Sequence, residues 1–394
     1  MAGVSSVRVS GVVMALAIGV AAPAARAQAP AAPSNLDAQT TRMVAELGLR
    51  EGETPASALP GWKKPTRVLV RDLPDDRRAW LQEVAPGVEL VAASSVSDAR
   101  GRAADVDVVL GFCEPAVLDA ATQARWVQTY NAGIERCLVS PVIRQRGLLL
   151  TNMQRIAGPV MAEHVMALAL AFSRGLPGYL ASQRDGRWSR DSLPANWSPF
   201  TAAANGSQSA FALTGKTMLV VGFGGIGTEV ARRAHAFGMT VTAIRNSKAE
   251  PPPFVSRMGL PGDLATFVRD ADIVVDTLPL TPDTRNMFDA KIFGAMKKTA
   301  FFVNVGRGGT VNTDDLVQAL VNRTIAGAGL DVVEPEPLPD GHPLWKAPGL
   351  ILTPHVSADS DIDEDVRWLL VRENLRRYVA GGKLLSVVDT TRGY

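Results

Sequence analysis

Short apolar runs alternate with helical stretches along most of this chain. Arg67-Val68-Leu69-Val70, Val88-Glu89-Leu90-Val91, Val106-Asp107-Val108-Val109-Leu110 and Trp126-Val127-Gln128-Thr129-Tyr130 predict four strands. Strand and helix in alternation make βαβ units, so the sheet they form is expected to be parallel. From Gly215 to His355 a second unit repeats the pattern, with strand runs at 217–221, 241–244, 273–277, 301–305, 328–332 and 350–353. Six strands with helices between them predict a full doubly wound sheet. Residues 158–174 hold only Glu163, His164 and Arg174 as charged or titratable members and predict a long buried helix, suited to a hinge between domains. Helices are also expected over 36–47 and, amphipathic, over 363–378, with a short strand at Ser386-Val387-Val388. A terminal element after a complete second unit is expected to return to the first.

The chain has 394 residues, enough for two domains, and a formal net charge of +2 with Lys and Arg scattered. That charge gives no reason to expect nucleic acid or an anionic membrane surface as a partner. The N-terminus has a different character. Gly11 to Ala22 is apolar or small throughout, and Ala25-Arg26-Ala27 is an A-x-A cleavage pattern. Residues 1–27 are therefore expected to be a secretory signal peptide, leaving no stable membrane span after its removal and an exported, periplasmic protein; if the run is instead a disordered Ala-rich leader, or translation begins at Met43, the location is cytoplasmic. Residues 28–62 form an Ala/Pro-rich extension and linker. Cys113 and Cys137, the only cysteines, are expected to be small buried hydrophobes; a bridge between them is possible in an exported chain but is not the preferred reading. No metal-ligand spacing is present.

The most specific chemistry lies at Val220-Val221-Gly222-Phe223-Gly224-Gly225-Ile226-Gly227, between a strand and a helix expected from Thr228 to Phe237. The first glycine allows the turn, the second lets a pyrophosphate reach the backbone, and the third lets helix and strand pack. The alternative is a glycine-rich turn with no ligand. Further along, Arg307 lies in Gly306-Arg307-Gly308-Gly309 after a strand, where a guanidinium can clamp a carboxylate; alone it equally fits a surface turn paired with an acid. Glu334-Pro335-Glu336-Pro337 sets acids between prolines, and Thr353-Pro354-His355 sets a histidine past the last strand. His164 is expected to be structural. A carboxylate bound to an imidazole fixes its orientation and favours its proton-donating form. Arg307, Glu336 and His355 thus suit reduction of a carbonyl: a cation for the substrate and a proton for the nascent alkoxide.

With these motifs the chain resembles the D-isomer-specific 2-hydroxyacid dehydrogenases, in particular the glyoxylate/hydroxypyruvate reductases. Matching text includes Ala162-Glu163-His164, Leu278-Pro279-Leu280-Thr281-Pro282-Asp283-Thr284, Asn304-Val305-Gly306-Arg307-Gly308-Gly309, Leu330-Asp331-Val332-Val333-Glu334-Pro335-Glu336-Pro337-Leu338 and Glu373-Asn374-Leu375, from about residue 67 to the end. The resemblance implies an α/β fold: a doubly wound Rossmann cofactor domain over 156–357, and a discontinuous flavodoxin-like substrate domain from 63–155 and 358–394. It implies Arg307, Glu336 and His355 as the catalytic set, and Ala132 and Gly133 of Asn131-Ala132-Gly133-Ile134 as backbone donors to the substrate carboxylate beside Arg307. Its cofactor residues fall on Gly222, Gly224, Gly225, Ile226, Gly227, Leu278, Pro279, Thr284 and Val305, with Asp331 at the nicotinamide carboxamide. It also implies a homodimer with the 158–174 helix near the interface.

Three departures stand out. The acid that would bond the ribose of NAD is replaced by Ile244-Arg245-Asn246-Ser247, and Arg245 suits a 2′-phosphate, so NADP is the expected cofactor, NAD the second choice. Residues 190–212 are longer than the usual connection and are expected to form a lid or rim. The leader does not suit an enzyme that needs soluble nicotinamide. The expected function is hydride transfer between NAD(P)H and a small 2-keto acid, giving a D-2-hydroxy acid. The alternatives are a nucleotide-binding sensor or scaffold with little turnover, or a phosphite-type oxidation.

Overall fold

The structure is a computed structural model that describes residues 36–188 and 210–391. The expected leader, residues 28–35 and most of the expected 190–212 lid lie outside the described residues. Twelve strands run through the described chain: β1 (Arg67–Arg71), β2 (Glu89–Ala93), β3 (Val108–Leu110), β4 (Trp126–Gln128), β5 (Leu149–Thr151), β6 (Thr217–Val221), β7 (Thr240–Ile244), β8 (Arg257–Gly259), β9 (Ile273–Asp276), β10 (Phe301–Asn304), β11 (Gly327–Leu330) and β12 (Leu350–Leu352). One sheet has the order β2-β1-β3-β4-β5 and the other β12-β11-β10-β9-β6-β7-β8. All their pairings are parallel. The first is the flavodoxin-like order. The second, counted from β6, is the Rossmann order with one more strand.

Both sheets are covered on both faces, which is why their strands read as unbroken apolar runs rather than alternating ones. Val68 and Val70 join one core cluster while Leu69 joins another. Met218 and Val220 face one side of the second sheet, Leu219 and Val221 the other. Two strands escaped the sequence pattern. β5 is three residues long, and β8 is an edge strand paired to β7 alone, with Met258 its one large apolar residue. The second sheet therefore has seven strands where six were expected. Val387 makes only an isolated bridge to Thr151.

The C-terminus does return to the first sheet. The helix Asp363–Val379 packs against the helices Leu36–Leu47 and Asp75–Val84. Its buried Asn374 donates to Gln128 Oε1 at 3.1 Å and to the Leu385 carbonyl at 3.1 Å, and accepts from the Leu385 N–H at 2.8 Å. Tyr378 stacks on Trp126 with ring centroids 5.0 Å apart. The helix Gly158–Ser173 packs instead on the helix Gly225–Ala236 and on β10, so it belongs to the second sheet.

Cys113 and Cys137 are both buried, as expected, but they are joined in a disulfide, which corrects the reading of them as separate hydrophobes. The topology explains the pairing. Cys113 follows β3 and Cys137 follows β4, and these strands are neighbours, so both side chains rise over one sheet edge with Cα atoms 4.6 Å apart. No helix among the described residues is long and apolar enough to cross a membrane.

Candidate active site

The glycine turn follows β6, and its helix starts at Gly225, three residues earlier than the expected Thr228. Gly222 has φ +98°, and a Cβ there would lie 2.9 Å from the Thr277 backbone. A Cβ on Gly227 would lie 2.1 Å from the Gly222 carbonyl oxygen, so only glycine lets the helix close on the turn. Gly225 is filled against Arg155, and Ile226 packs into the core beside it. Gly224 alone is exposed with nothing within 4 Å of its missing side chain. Its open face and the first amides of the helix form a cradle that a Cβ would fill, as a pyrophosphate requires.

The neighbouring strand ends complete that cradle. After β7, Arg245 donates from Nη2 to Ser247 Oγ at 3.1 Å, while its buried Nε has no partner among the described residues. Asn246 and Ser247 are exposed beside it. An orphaned guanidinium donor one strand from Gly222 fits an anion on the adenosine ribose. After β9, Thr284 Oγ1 donates to the Pro279 carbonyl at 2.6 Å and closes the loop that carries Leu278 and Pro279. Val305, past β10, is buried beneath. The residues present fit a nicotinamide dinucleotide.

Arg307 follows β10. Asn304 shapes its turn, donating from Nδ2 to the Arg307 carbonyl at 3.0 Å and accepting the Gly306 N–H at 2.9 Å. The guanidinium reaches across to the first sheet: a Cβ on Gly133 would lie 1.9 Å from Arg307 Nη2. Ala132 is held beside it by Asn152 Nδ2, which donates to its carbonyl at 2.7 Å. Arg307 and Gly133 are therefore brought together, with Ala132 next to Gly133 in the chain. The sequence reading missed Glu135, which accepts from Arg307 Nε at 2.8 Å; Nη1 bonds the Gly306 carbonyl at 2.8 Å. An acid two residues past the glycine was the available signal. Arg307 is thus paired with an acid and lies over Gly133.

His355 follows β12, and its Nδ1 lies 2.6 Å from Glu336 Oε1. Both side chains are partly exposed, and Nε2 makes no hydrogen bond to a described residue. His355 has φ +57°, a left-handed backbone unfavourable for a histidine. Asp331 holds it there. The Asp331 carbonyl accepts the His355 N–H at 2.8 Å, and its carboxylate accepts Thr353 Oγ1 at 2.6 Å and the N–H groups of Val356 and Ser357 at 3.0 Å each. His164 Nε2 joins at Thr353 Oγ1, 3.1 Å away. Burial pushes the Asp331 carboxyl up, but the hydrogen bonds from Ser357, Thr353 and Val356 outweigh it and hold the group below the usual carboxylate range. Asp331, expected at the nicotinamide carboxamide, has a fully enclosed side chain here, and its visible work is to hold the His355 loop.

The Arg307 turn and the Glu336 loop touch, since a Cβ on Gly308 would lie 2.0 Å from the Val333 backbone. β10, β11 and β12 are adjacent and parallel, so Arg307, Glu336 and His355 share one carboxyl-end edge, where ligands bind in open α/β sheets.

The profile of the D-isomer specific 2-hydroxyacid dehydrogenase NAD binding domain matches residues 166–357. A glyoxylate reductase/hydroxypyruvate reductase of Mus musculus is 32% identical over 271 residues, covering 68% of this chain and 79% of the relative. The crystal structure of a D-isomer specific 2-hydroxyacid dehydrogenase family protein from Aeromonas salmonicida superposes with a TM-score of 0.70 at 30% identity, covering 83% of this chain and all of that one. An NADPH-dependent glyoxylate/hydroxypyruvate reductase of Sinorhizobium meliloti, solved with NADP and sulfate, gives 0.68 at 27% identity, covering 84% and 100%. This chain belongs to the D-isomer specific 2-hydroxyacid dehydrogenase family and is an NAD(P)-dependent oxidoreductase of 2-hydroxy acids.

Proposed function

We propose that this chain reduces a small 2-keto acid, glyoxylate- or hydroxypyruvate-like, to the D-2-hydroxy acid, with NADPH as the preferred cofactor. The observation that carries the reading is the His355–Glu336 bond on the sheet edge that also bears Arg307 over Gly133. When bound, the nicotinamide supplies a hydride at C4. Glu336 occupies Nδ1 of His355, which leaves Nε2 to give its proton to the oxygen of the reduced carbonyl. Arg307 Nη2 and the N–H groups at Ala132 and Gly133 grip the substrate carboxylate, and the guanidinium favours the charge that develops on the carbonyl oxygen. The orphaned Nε of Arg245 supports a 2′-phosphate, and the NADPH-dependent relative from Sinorhizobium meliloti supports the same choice. Exposed Leu176, Tyr179 and Leu180, just past the helix Gly158–Ser173, support a homodimer with its interface there.

The test is NADPH and NADH oxidation by the chain from Gln28 onward over a panel of 2-keto acids, beside His355→Ala. Turnover that is faster with NADPH, and a kcat lowered roughly 10²–10⁴-fold in the variant with NADPH binding intact, is expected. A near-normal kcat in the variant overturns the catalytic assignment, and equal use of both cofactors overturns the Arg245 reading.

A further inference from the structure

Asp276 closes β9 at the same sheet edge and takes no part in the chemistry above. It is fully buried, and its polar contacts are two: Oδ1 accepts the Leu278 N–H at 2.9 Å, and Oδ2 lies 2.5 Å from Thr310 Oγ1. That same hydroxyl lies 2.6 Å from the Arg307 carbonyl oxygen. Three oxygens thus stand in line, Asp276 Oδ2, Thr310 Oγ1 and Arg307 O, with two short contacts between them.

The protons decide what this line is. A threonine hydroxyl carries one hydrogen, and a carbonyl carries none. If Asp276 is ionised, one hydrogen must serve both contacts, and the other contact becomes two oxygens facing each other with no proton between. If Asp276 is protonated, its O–H donates to Thr310 Oγ1 and the Thr310 O–H donates to the Arg307 carbonyl. Two short contacts on a hydroxyl with a single hydrogen are satisfied together only by the neutral acid. Burial agrees, pushing the carboxyl up to about 7 against the hydrogen bonds from Thr310 and Leu278. Asp331, whose side chain is also enclosed, keeps its charge by collecting more donors.

We infer that Asp276 is a positioning residue whose neutral form tethers the Arg307 turn through Thr310, so that its ionisation loosens the turn and weakens binding of the substrate carboxylate. The inference rests on the reading of Arg307 as the carboxylate clamp. The elements packed around Asp276 offer no rival titrating group on the line. The flanking strands β6 and β10 carry no ionisable residue. On the turn the ionisable side chain is Arg307, bonded to Glu135, and Glu334, which packs against Gly309, is paired with Arg285 away from the line. The helices Ala290–Ala295 and Thr313–Val321 carry Lys291, which is exposed, Asp314, which is exposed, and Asp315, whose carboxylate accepts the Ala290 N–H. Once Asp276 is an anion, the Thr310 hydroxyl turns to it, and the Arg307 carbonyl keeps only Asn304 Nδ2 and the Thr310 N–H.

Two measurements on the wild type and Asp276→Asn test this, because an asparagine can donate from Nδ2 to Thr310 Oγ1 at every pH. The first is the KM for glyoxylate from about pH 6 to about pH 8.5, a window that brackets the pKa. The wild-type KM, divided by that of the variant, is expected to rise several-fold across the window, since pH effects common to both enzymes cancel in the ratio. The second is amide hydrogen exchange of the peptide around Gly306–Val311, taken as the ratio of the two proteins at each pH. Exchange is expected to accelerate in the wild type alone. An exchange ratio constant with pH overturns the tether whatever the kinetics show, and a pH-dependent exchange ratio with a flat KM ratio overturns the link to substrate binding. A pH-dependent exchange ratio in an enzyme that turns over no 2-keto acid overturns the functional reading and leaves the tether standing. Thr310→Val, which cuts the line at its middle, is expected to hold the KM high at both ends of the window.

Discussion

At the scale of single residues, the site is governed by which hydrogen-bond partners each charged group collects. Arg307 is shared between Gly306, the space over Gly133 and Glu135. Glu135 is 45% exposed in that pair, so its hold on Arg307 is worth at most about 1 kcal/mol. On the proposed reading of Arg307 as the carboxylate clamp, a substrate carboxylate must compete with it. Glu135→Gln is therefore expected to lower the KM for a 2-keto acid by no more than about fivefold and to leave kcat unchanged. A raised KM in steady-state kinetics would mean that Glu135 aims the guanidinium rather than competing for it. Asp276 has a second consequence, for stability. Its folded pKa lies above its unfolded value, so the native state holds the extra proton between about pH 4 and 7 and stability falls as pH rises through that window. The loss is at most about 4 kcal/mol and is complete above about pH 7. Melting curves are expected to show the wild type losing ground to Asp276→Asn between these limits, with parallel curves counting against a buried titrating acid. The catalytic candidates were legible in the sequence because they sit in motifs at strand ends. Glu135 and Asp276 were not, because their meaning depends on partners 172 and 34 positions away.

At the scale of elements, the glycine turn separates packing from binding. Gly227 and Gly224 lie in one motif, yet only Gly227 is closed in by protein. Gly227→Ala drives a Cβ into the Gly222 carbonyl, which must move with its turn, and is expected to cost about 1–3 kcal/mol of stability as seen in thermal unfolding. Gly224→Ala meets nothing in the protein and is expected to leave the melting temperature nearly unchanged while weakening NADPH in a fluorescence titration. If both variants behaved alike, the open face at Gly224 would not be the ligand side. Strands buried on both faces announced themselves as apolar runs. β8 did not, because an edge strand needs no second apolar face, and β5 did not, because three residues carry too little pattern.

At the scale of the whole molecule, the disulfide joins structure to location. It spans 24 residues, and closing that loop in the unfolded chain stabilises the fold by about 3 kcal/mol. It also fastens the turn after β3 to the helix Glu135–Leu138, directly behind Ala132 and Gly133. Replacing both cysteines by serine is expected to lower the melting temperature by several degrees and to raise the KM for the keto acid more than it alters kcat. A bridge of this kind is kept in an oxidising compartment, and we propose that a signal peptide over residues 1–27 delivers the chain to one. The two proposals stand on independent evidence, a composition pattern at the N-terminus and a pairing that only the fold brings together, and they can be tested on one sample. In the native host, the protein from the cell envelope is expected to begin at Gln28 by mass and to resist thiol alkylation unless first reduced. An uncleaved chain in the cytoplasm with both thiols free would remove the export reading, and with it the reason for a bridge beside Gly133.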